Sequence, residues 1–153
     1  MIEIKAPKRI VCCEESGYKI FLAGSIEMGK ADNWQKRIVR ELKKEPVLIL
    51  NPRRDDWDSS WVQSIDNPQF RKQVEWELKA LDIADIIVLC FDPTTKSPIS
   101  LLELGLYANS GKLIVHCPEG FWRKGNVDIV CRKYKIPMMV SEQDLILTLK
   151  QRI

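Results

Sequence analysis

Apolar residues along this chain gather in short runs, separated by longer stretches in which they recur every third or fourth position. YKIFLAGS (18–25), PVLILN (46–51), DIIVLCFD (85–92) and KLIVHC (112–117) have strand length and little polar interruption, and PMMV (137–140) is a brief fifth run. Between and after them, ADNWQKRIVRELKK, NPQFRKQVEWELKALDIA, SPISLLELGLYANSG, NVDIVCRKYK and SEQDLILTLKQR carry helical spacing. Asp32 with Gln35 three residues on reads as a capping box for the first helix. Strands that are apolar throughout, alternating with helices, predict an α/β fold: a doubly wound, five-stranded parallel sheet with helices on both faces. Numbered from YKIFLAGS, the expected order is 2-1-3-4-5, and KRIVCCEE (8–15) is placed as an added antiparallel edge strand. No repeat or linker divides the chain, so residues 1–153 are read as one domain.

In such a sheet, ligands bind beyond the carboxyl ends of the strands where the winding direction reverses. Two loops meet there: AGSIEMG after the first strand and FDPTTKSPIS after the third. Each leads into a helix whose N-terminal N–H groups face the crevice. Gly24, Gly29 and Lys30 satisfy the G-x-x-x-x-G-K spacing of a phosphate-binding loop, but Ala31 stands where a magnesium-ligating hydroxyl is required. A P-loop kinase, with Asp92 as its metal-binding acid, is therefore the weakest reading. Gly24 instead allows close backbone approach to a ligand.

Two glutamates stand in unusual company. Glu103, between Leu102 and Leu104, lies on a helix that starts at the crevice, with Ser97 as its N-cap and the small Ser100 one turn before the carboxylate. A solvated helix face is the plain alternative. In the preceding helix Phe70, Val74, Leu78 and Leu81 define a buried stripe, and Glu77 falls within it while Glu75 points to solvent. A buried carboxylate needs a partner, a proton or a cavity. Arg53 or Arg54 is one expected partner for Glu77; convergence of Glu77 and Glu103 on the crevice as a carboxylate pair is the other. The long connection NPRRDDWDSSWVQSID reads as a lid, in which Trp57 and Trp61 either stack on a heterocyclic base or pin the loop to the core.

Composition narrows the chemistry. Net charge is +3 without a Lys/Arg run, so nucleic-acid binding through a basic patch is not expected. No apolar run reaches membrane-spanning length and the N-terminus is not a signal peptide, which predicts a cytoplasmic protein without a membrane partner. Five cysteines, Cys12 and Cys13 adjacent, are read as reduced thiols. The single histidine, His116, excludes a multi-histidine metal site and is read as structural.

FLAGSI (21–26), NPRR (51–54), WELKALDIADIIVLCF (76–91), SPISLLELG (97–105) and RKGNVDIVC (123–131) together resemble the nucleoside 2-deoxyribosyltransferase family, in its short-lid branch. The resemblance implies a flavodoxin-like fold, a homo-oligomer with shared active sites, no cofactor or metal, and base exchange on 2'-deoxynucleosides through a glutamyl-deoxyribosyl intermediate. It implies Glu103 as nucleophile and Glu77, where the best-studied members have aspartate, as the acid that handles the proton of the base. Expected substrate contacts are Gly24, Ser25, Ile26, Arg53, Trp57, Asp92 and Ser97, with Asn126 contributed by a neighbouring subunit. Ser97 falls near an acidic position of some members, and the family's tyrosine near strand 1 has no match. Deoxynucleosides and free nucleobases are the implied partners. The rivals are a nucleoside or nucleotide N-glycoside hydrolase using the same Glu103, with Ser25, Arg53 or Arg54 holding a 5'-phosphate, and a non-catalytic nucleotide-sensing module.

Overall fold

The computed structural model describes residues 1–11, 17–27, 31–58 and 60–153. Cys12, Cys13, Gly29 and Lys30 lie outside these, so the vicinal thiols and the second half of the phosphate-loop spacing have no structural account. Six parallel strands, β1 (Ile2–Lys5), β2 (Lys19–Gly24), β3 (Leu48–Asn51), β4 (Ile86–Cys90), β5 (Leu113–His116) and β6 (Met138–Met139), are ordered β1-β3-β2-β4-β5-β6. The expected five-strand order is present within this sheet. The sixth member is β1, which pairs with β3 in parallel from Ile2↔Leu48 to Lys5↔Asn51. The edge strand is thus the short alternating IEIK; of KRIVCCEE, residues 8–11 are not strand and residues 12–15 lie outside the described residues. The central strands are buried on both faces, whereas β1 leaves half its residues in solvent, as an edge can.

Strand alternation sends side chains to two cores. On one face Phe21, Ala23, Leu50, Ile87, Leu89 and Val115 pack under α2 (Pro68–Ile83), α3 (Pro98–Tyr107) and α4 (Lys124–Tyr134). On the other, Ile20, Leu22, Ile49, Val88 and Ile114 pack under α1 (Trp34–Glu41) and α5 (Glu142–Arg152). The chain moves from β2 outward to β3, then returns across to β4 and continues to β5 and β6. Its direction therefore reverses between β2 and β4, at Gly24 and Cys90.

Two local expectations are corrected. The N-cap of α1 is Asn33, whose side chain accepts from Lys36 N; Asp32, one residue earlier, instead pairs with Arg37. On α2 the buried residues are Gln73, Trp76, Ala80 and Leu81, while Leu78 is 44% exposed. The inward stripe is rotated from the one that Phe70 and Val74 define, because the sequence offers a long indole at 76 and small alanines at 80 and 84 that let the helix sit close to the sheet.

Candidate active site

Gly24 ends β2 with φ +130°, and a Cβ there would stand 2.1 Å from the Cys90 carbonyl oxygen. Only glycine fits. Ser25 N then donates to Cys90 O (2.8 Å), holding the loop after β2 against the end of β4. From this junction a buried hydroxyl cluster extends. Ser25 Oγ accepts from Asp92 N (2.9 Å), and Thr95 Oγ1, which donates to Asp92 O, lies within hydrogen-bonding distance of both Ser25 Oγ (2.9 Å) and Ser97 Oγ (2.7 Å). Ser25 and Ser97 also bond each other. The three hydroxyls tie the two crevice loops together. Ile26 follows, its carbonyl accepting from Ala31 N.

Ser97 is the N-cap of α3, but in the left-handed region (φ 46°) and without a side-chain capping bond. Its hydroxyl is committed to the cluster. Glu27 caps in its place: Oε1 accepts from both Lys96 N and Ser97 N (2.7 Å for Ser97), which puts a carboxylate at the positive end of α3. Asp92 is buttressed by Thr94 N and Oγ1 and by Asp32 N. Partial burial opposes its charge, but these donors outweigh it and hold its pKa below the ordinary aspartate value.

Along α3 the inward residues include Ser97, Ser100 and Glu103, a polar stripe on an otherwise apolar helix. Glu103 is only 8% exposed and has no hydrogen-bond or ionic partner among the described residues. Burial first, and the nearby charge of Glu77 second, push its pKa up to about 8. Glu77 is only partly buried as a residue. Its carboxyl is nonetheless crowded enough by protein that desolvation raises its pKa, against the pull of an N–H from Gln73 (2.8 Å). Glu103 on α3 thus feels the charge of Glu77 on α2, and the hydrogen-bond partner of Glu77 is Gln73 rather than Arg53 or Arg54. Tyr107 on α3 donates to Asp82 on α2 (2.6 Å), so the helices carrying the pair are tied one turn beyond it.

A family described as nucleoside 2-deoxyribosyltransferase like matches residues 17–121, a span holding both carboxylates and both crevice loops. The chain belongs to this family. No curated protein matches it. Among solved structures it is similar to a conserved protein from Enterococcus faecalis V583, with a TM-score of 0.61 and 16% identity over 89% of this chain and 99% of that one, a likeness of fold. Family membership makes the chain a nucleoside-modifying enzyme by kinship, and the flavodoxin-like sheet is shared with it.

Among the described residues none of the remaining candidates is hydrogen-bonded to Glu77 or Glu103. Arg53 donates to the carbonyls of Ala31 and Asp32 and to Gln35 Oε1, which pins the start of α1. Arg54 forks onto Asp56 and lies 4.9 Å from the Trp61 ring. Trp57 packs edge-on against Trp61 with centroids 5.1 Å apart, and its buried Nε1 has no partner among the described residues. Asn126, beyond the family match, is exposed on α4. It lines a cleft of about 320 Å³ with Leu101, Leu104, Gly105, Arg123 and Val130, on the flank of α3 away from Glu103. His116 is half-buried, with Nδ1 3.3 Å from Met139 O, and burial lowers its pKa. Among the described residues no group of three His, Cys, Asp or Glu side chains is placed to hold a metal, and no helix is long and apolar enough to cross a membrane.

Glu27, Thr95 and Gln73 are the site residues that sequence reasoning missed. Thr95 and Ser97 had a signal in the hydroxyl-rich PTTKSP, and Gln73 stands one helical turn before Glu77. Glu27 had none, since its partner N–H groups are about seventy residues away.

Proposed function

We propose that the protein is a nucleoside 2-deoxyribosyltransferase that exchanges the base of 2'-deoxynucleosides through an ester between Glu103 and C1' of the sugar. The observation that carries this reading is Glu103 itself: a buried carboxyl on the inward face of α3, without a partner among the described residues and under the influence of the charge of a second carboxyl on α2. Nothing in the fold requires an acid there, and an uncompensated buried carboxyl is costly to keep for packing alone.

Such a pair suits N-glycoside chemistry. The C1'–N bond breaks with its electron pair leaving on the base, the base takes up a proton, and a Glu103 oxygen bonds to C1' as oxocarbenium character develops. The balance requires a dyad holding one proton: it begins with one carboxyl and one carboxylate, and ends as a Glu103 ester and an ionised Glu77. In the empty site the Gln73 N–H favours the charge on Glu77, which leaves the proton on Glu103. On substrate binding the proton passes by way of Glu77 to the departing base, freeing Glu103 to attack. An acceptor base then reverses the sequence.

The polar flank of α4 supports a role for a second subunit. Asn126 lies across α3 from the Glu103 of its own chain, so a contact with substrate falls at the Glu103 of another copy, in a homo-oligomer with shared sites.

The test is incubation with one deoxynucleoside and a different free base, read by chromatography. A new deoxynucleoside is expected; free deoxyribose with released base would replace transfer by hydrolysis, and neither product across a panel of substrates would leave a binding module. Rapid quench with donor alone should yield a deoxyribosyl adduct on Glu103 by mass spectrometry, and Glu103→Ala should lose several orders of magnitude in base release.

A further inference from the structure

A second cleft, of about 330 Å³, lies at the edge of the sheet, where side chains of β1, β3, α1 and the start of the long loop surround it. Its helix, α1, covers the face of the sheet opposite to α2 and α3, which carry Glu77 and Glu103. Three cations line this cleft: Lys5 of β1, Lys36 of α1 and Arg53 of the loop.

The Arg53 guanidinium is held in place but not neutralised. Nη1 donates to Asp32 O (3.1 Å) and Gln35 Oε1 (3.2 Å), and Nη2 to Ala31 O (3.0 Å), all of them uncharged acceptors. Two of its five N–H groups, on Nε and Nη2, have no partner among the described residues, and donors on these two atoms are of the kind that grip two oxygens of one anion. Lys36 stands in the first turn of α1, which holds no acid, so a cation meets the positive end of the helix. Its ammonium, too, has no partner among the described residues.

The acids at the cleft do not cancel this charge. Glu3 Oε1 accepts from Asn51 Nδ2 (2.8 Å), and Asp55 pairs with Lys5 (2.8 Å) through a side chain 82% exposed. A pair so open to water is worth little, and a doubly charged anion can take Lys5 from Asp55. Lys5, Lys36 and Arg53 outnumber Glu3 and Asp55 by one.

We infer that this cleft is a second binding site, for the phosphoryl group of a small phosphate compound: Arg53 takes two of its oxygens, and the Lys36 and Lys5 ammonium groups answer the remaining charge. A volume near the lower end of small-molecule sites, roughly 300 Å³, leaves room for a sugar-sized group on the phosphate. The site is separate from the glutamate pair, and the inference does not rest on the reaction proposed above.

The experiment is calorimetric titration of the whole protein with inorganic phosphate and with ribose 5-phosphate at constant ionic strength, with acetate as the control anion. Wild type should bind at least one of the two phosphates with a Kd of about 1 mM or tighter. Lys36→Gln should weaken binding at least about fivefold, and Asp55→Asn, which removes a competing carboxylate, should tighten it. Both residues are exposed, so both variants should fold. Lys79→Gln, the same change of net charge on the exposed side of α2, should leave the Kd unchanged. Tighter binding of ribose 5-phosphate identifies a phosphate monoester as the ligand, and equal binding identifies free phosphate. No binding of either by wild type, acetate bound as tightly as phosphate, or equal losses in Lys36→Gln and Lys79→Gln overturns the inference and leaves the transferase reading untouched.

Discussion

Glu103 is an acid that the folded state buries without a partner among the described residues, and this has a consequence for stability that does not depend on any substrate. Its folded pKa, near 8, lies above the ordinary value of 4.5, so its neutral form is the one the fold favours. The associated stability is fully present below about pH 4.5 and is lost as pH rises through 8. Glu103→Gln keeps the shape and removes the ionisation. It should therefore match wild type in melting temperature near pH 4.5 and exceed it at about pH 9, where a gain of even ~1 kcal/mol is roughly 2–4 °C for a chain of this size. An equal melting temperature at both pH values would show that Glu103 titrates normally. At the other end of the crevice Gly24→Ala should cost at least about 3 kcal/mol, since the backbone of β4 that its Cβ would strike cannot withdraw without parting the central strands. Urea unfolding measures this directly.

At the level of elements, the site is held by what α2 and the loop before it do to one another. Gln73 Nε2 donates both to Pro52 O, at the start of the long loop, and to Glu77 Oε1, and the loop carbonyl fixes which end of the amide Glu77 meets. Gln73→Leu removes the hydrogen bond that, among the described residues, favours the Glu77 charge. The pKa of Glu77 should then rise further, and the acidic limb of the pH profile for kcat/KM should move to higher pH, by up to about one unit for a single neutral hydrogen bond. A lowered melting temperature with an unmoved profile would mean that Gln73 serves packing only. The helix positions themselves were legible from sequence where a cap and a periodic face coincide: Asn67 before Pro68 opens α2, and Ser141 opens α5. They were misread where two good caps stand side by side, as Asp32 and Asn33 do, and where small residues rather than large ones face the sheet, as Ala80 and Ala84 do.

For the whole molecule, the exposed position of Asn126 beside the α3–α4 cleft makes sharing between copies a measurable matter. Leu102 and Leu106 on α3 and Ile129 on α4 are each more than half exposed around this region, apolar surface that a second copy would cover. Asn126→Ala and Glu103→Ala proteins should each be nearly inactive. Mixed and allowed to exchange in a dimer, they should recover about a quarter of wild-type activity, because half the dimers are hybrids and each hybrid has one site with both residues intact. No recovery despite demonstrated exchange, or full activity of a monomer, would place Asn126 outside the site.

What sequence alone determined is the layered sheet, its order around the reversal between β2 and β4, and the suspicion attached to two glutamates. Each follows from local information: apolar strands such as IIVLC can only be covered on both faces, and a carboxylate inside an apolar helical stripe is costly wherever the helix packs. What only the tertiary structure decided is which groups answer those glutamates. Gln73 rather than arginine meets Glu77, no described residue meets Glu103, and Glu27 reaches across to cap α3 in place of Ser97. The IEIK edge strand was equally hidden, since four alternating residues reveal themselves as strand only when an unpaired neighbour, β3, is present to receive them. The Glu27 and IEIK contacts join residues distant in the chain, and what Glu77 and Glu103 face depends on how far each helix turns about its axis; hydrophobic spacing carries neither.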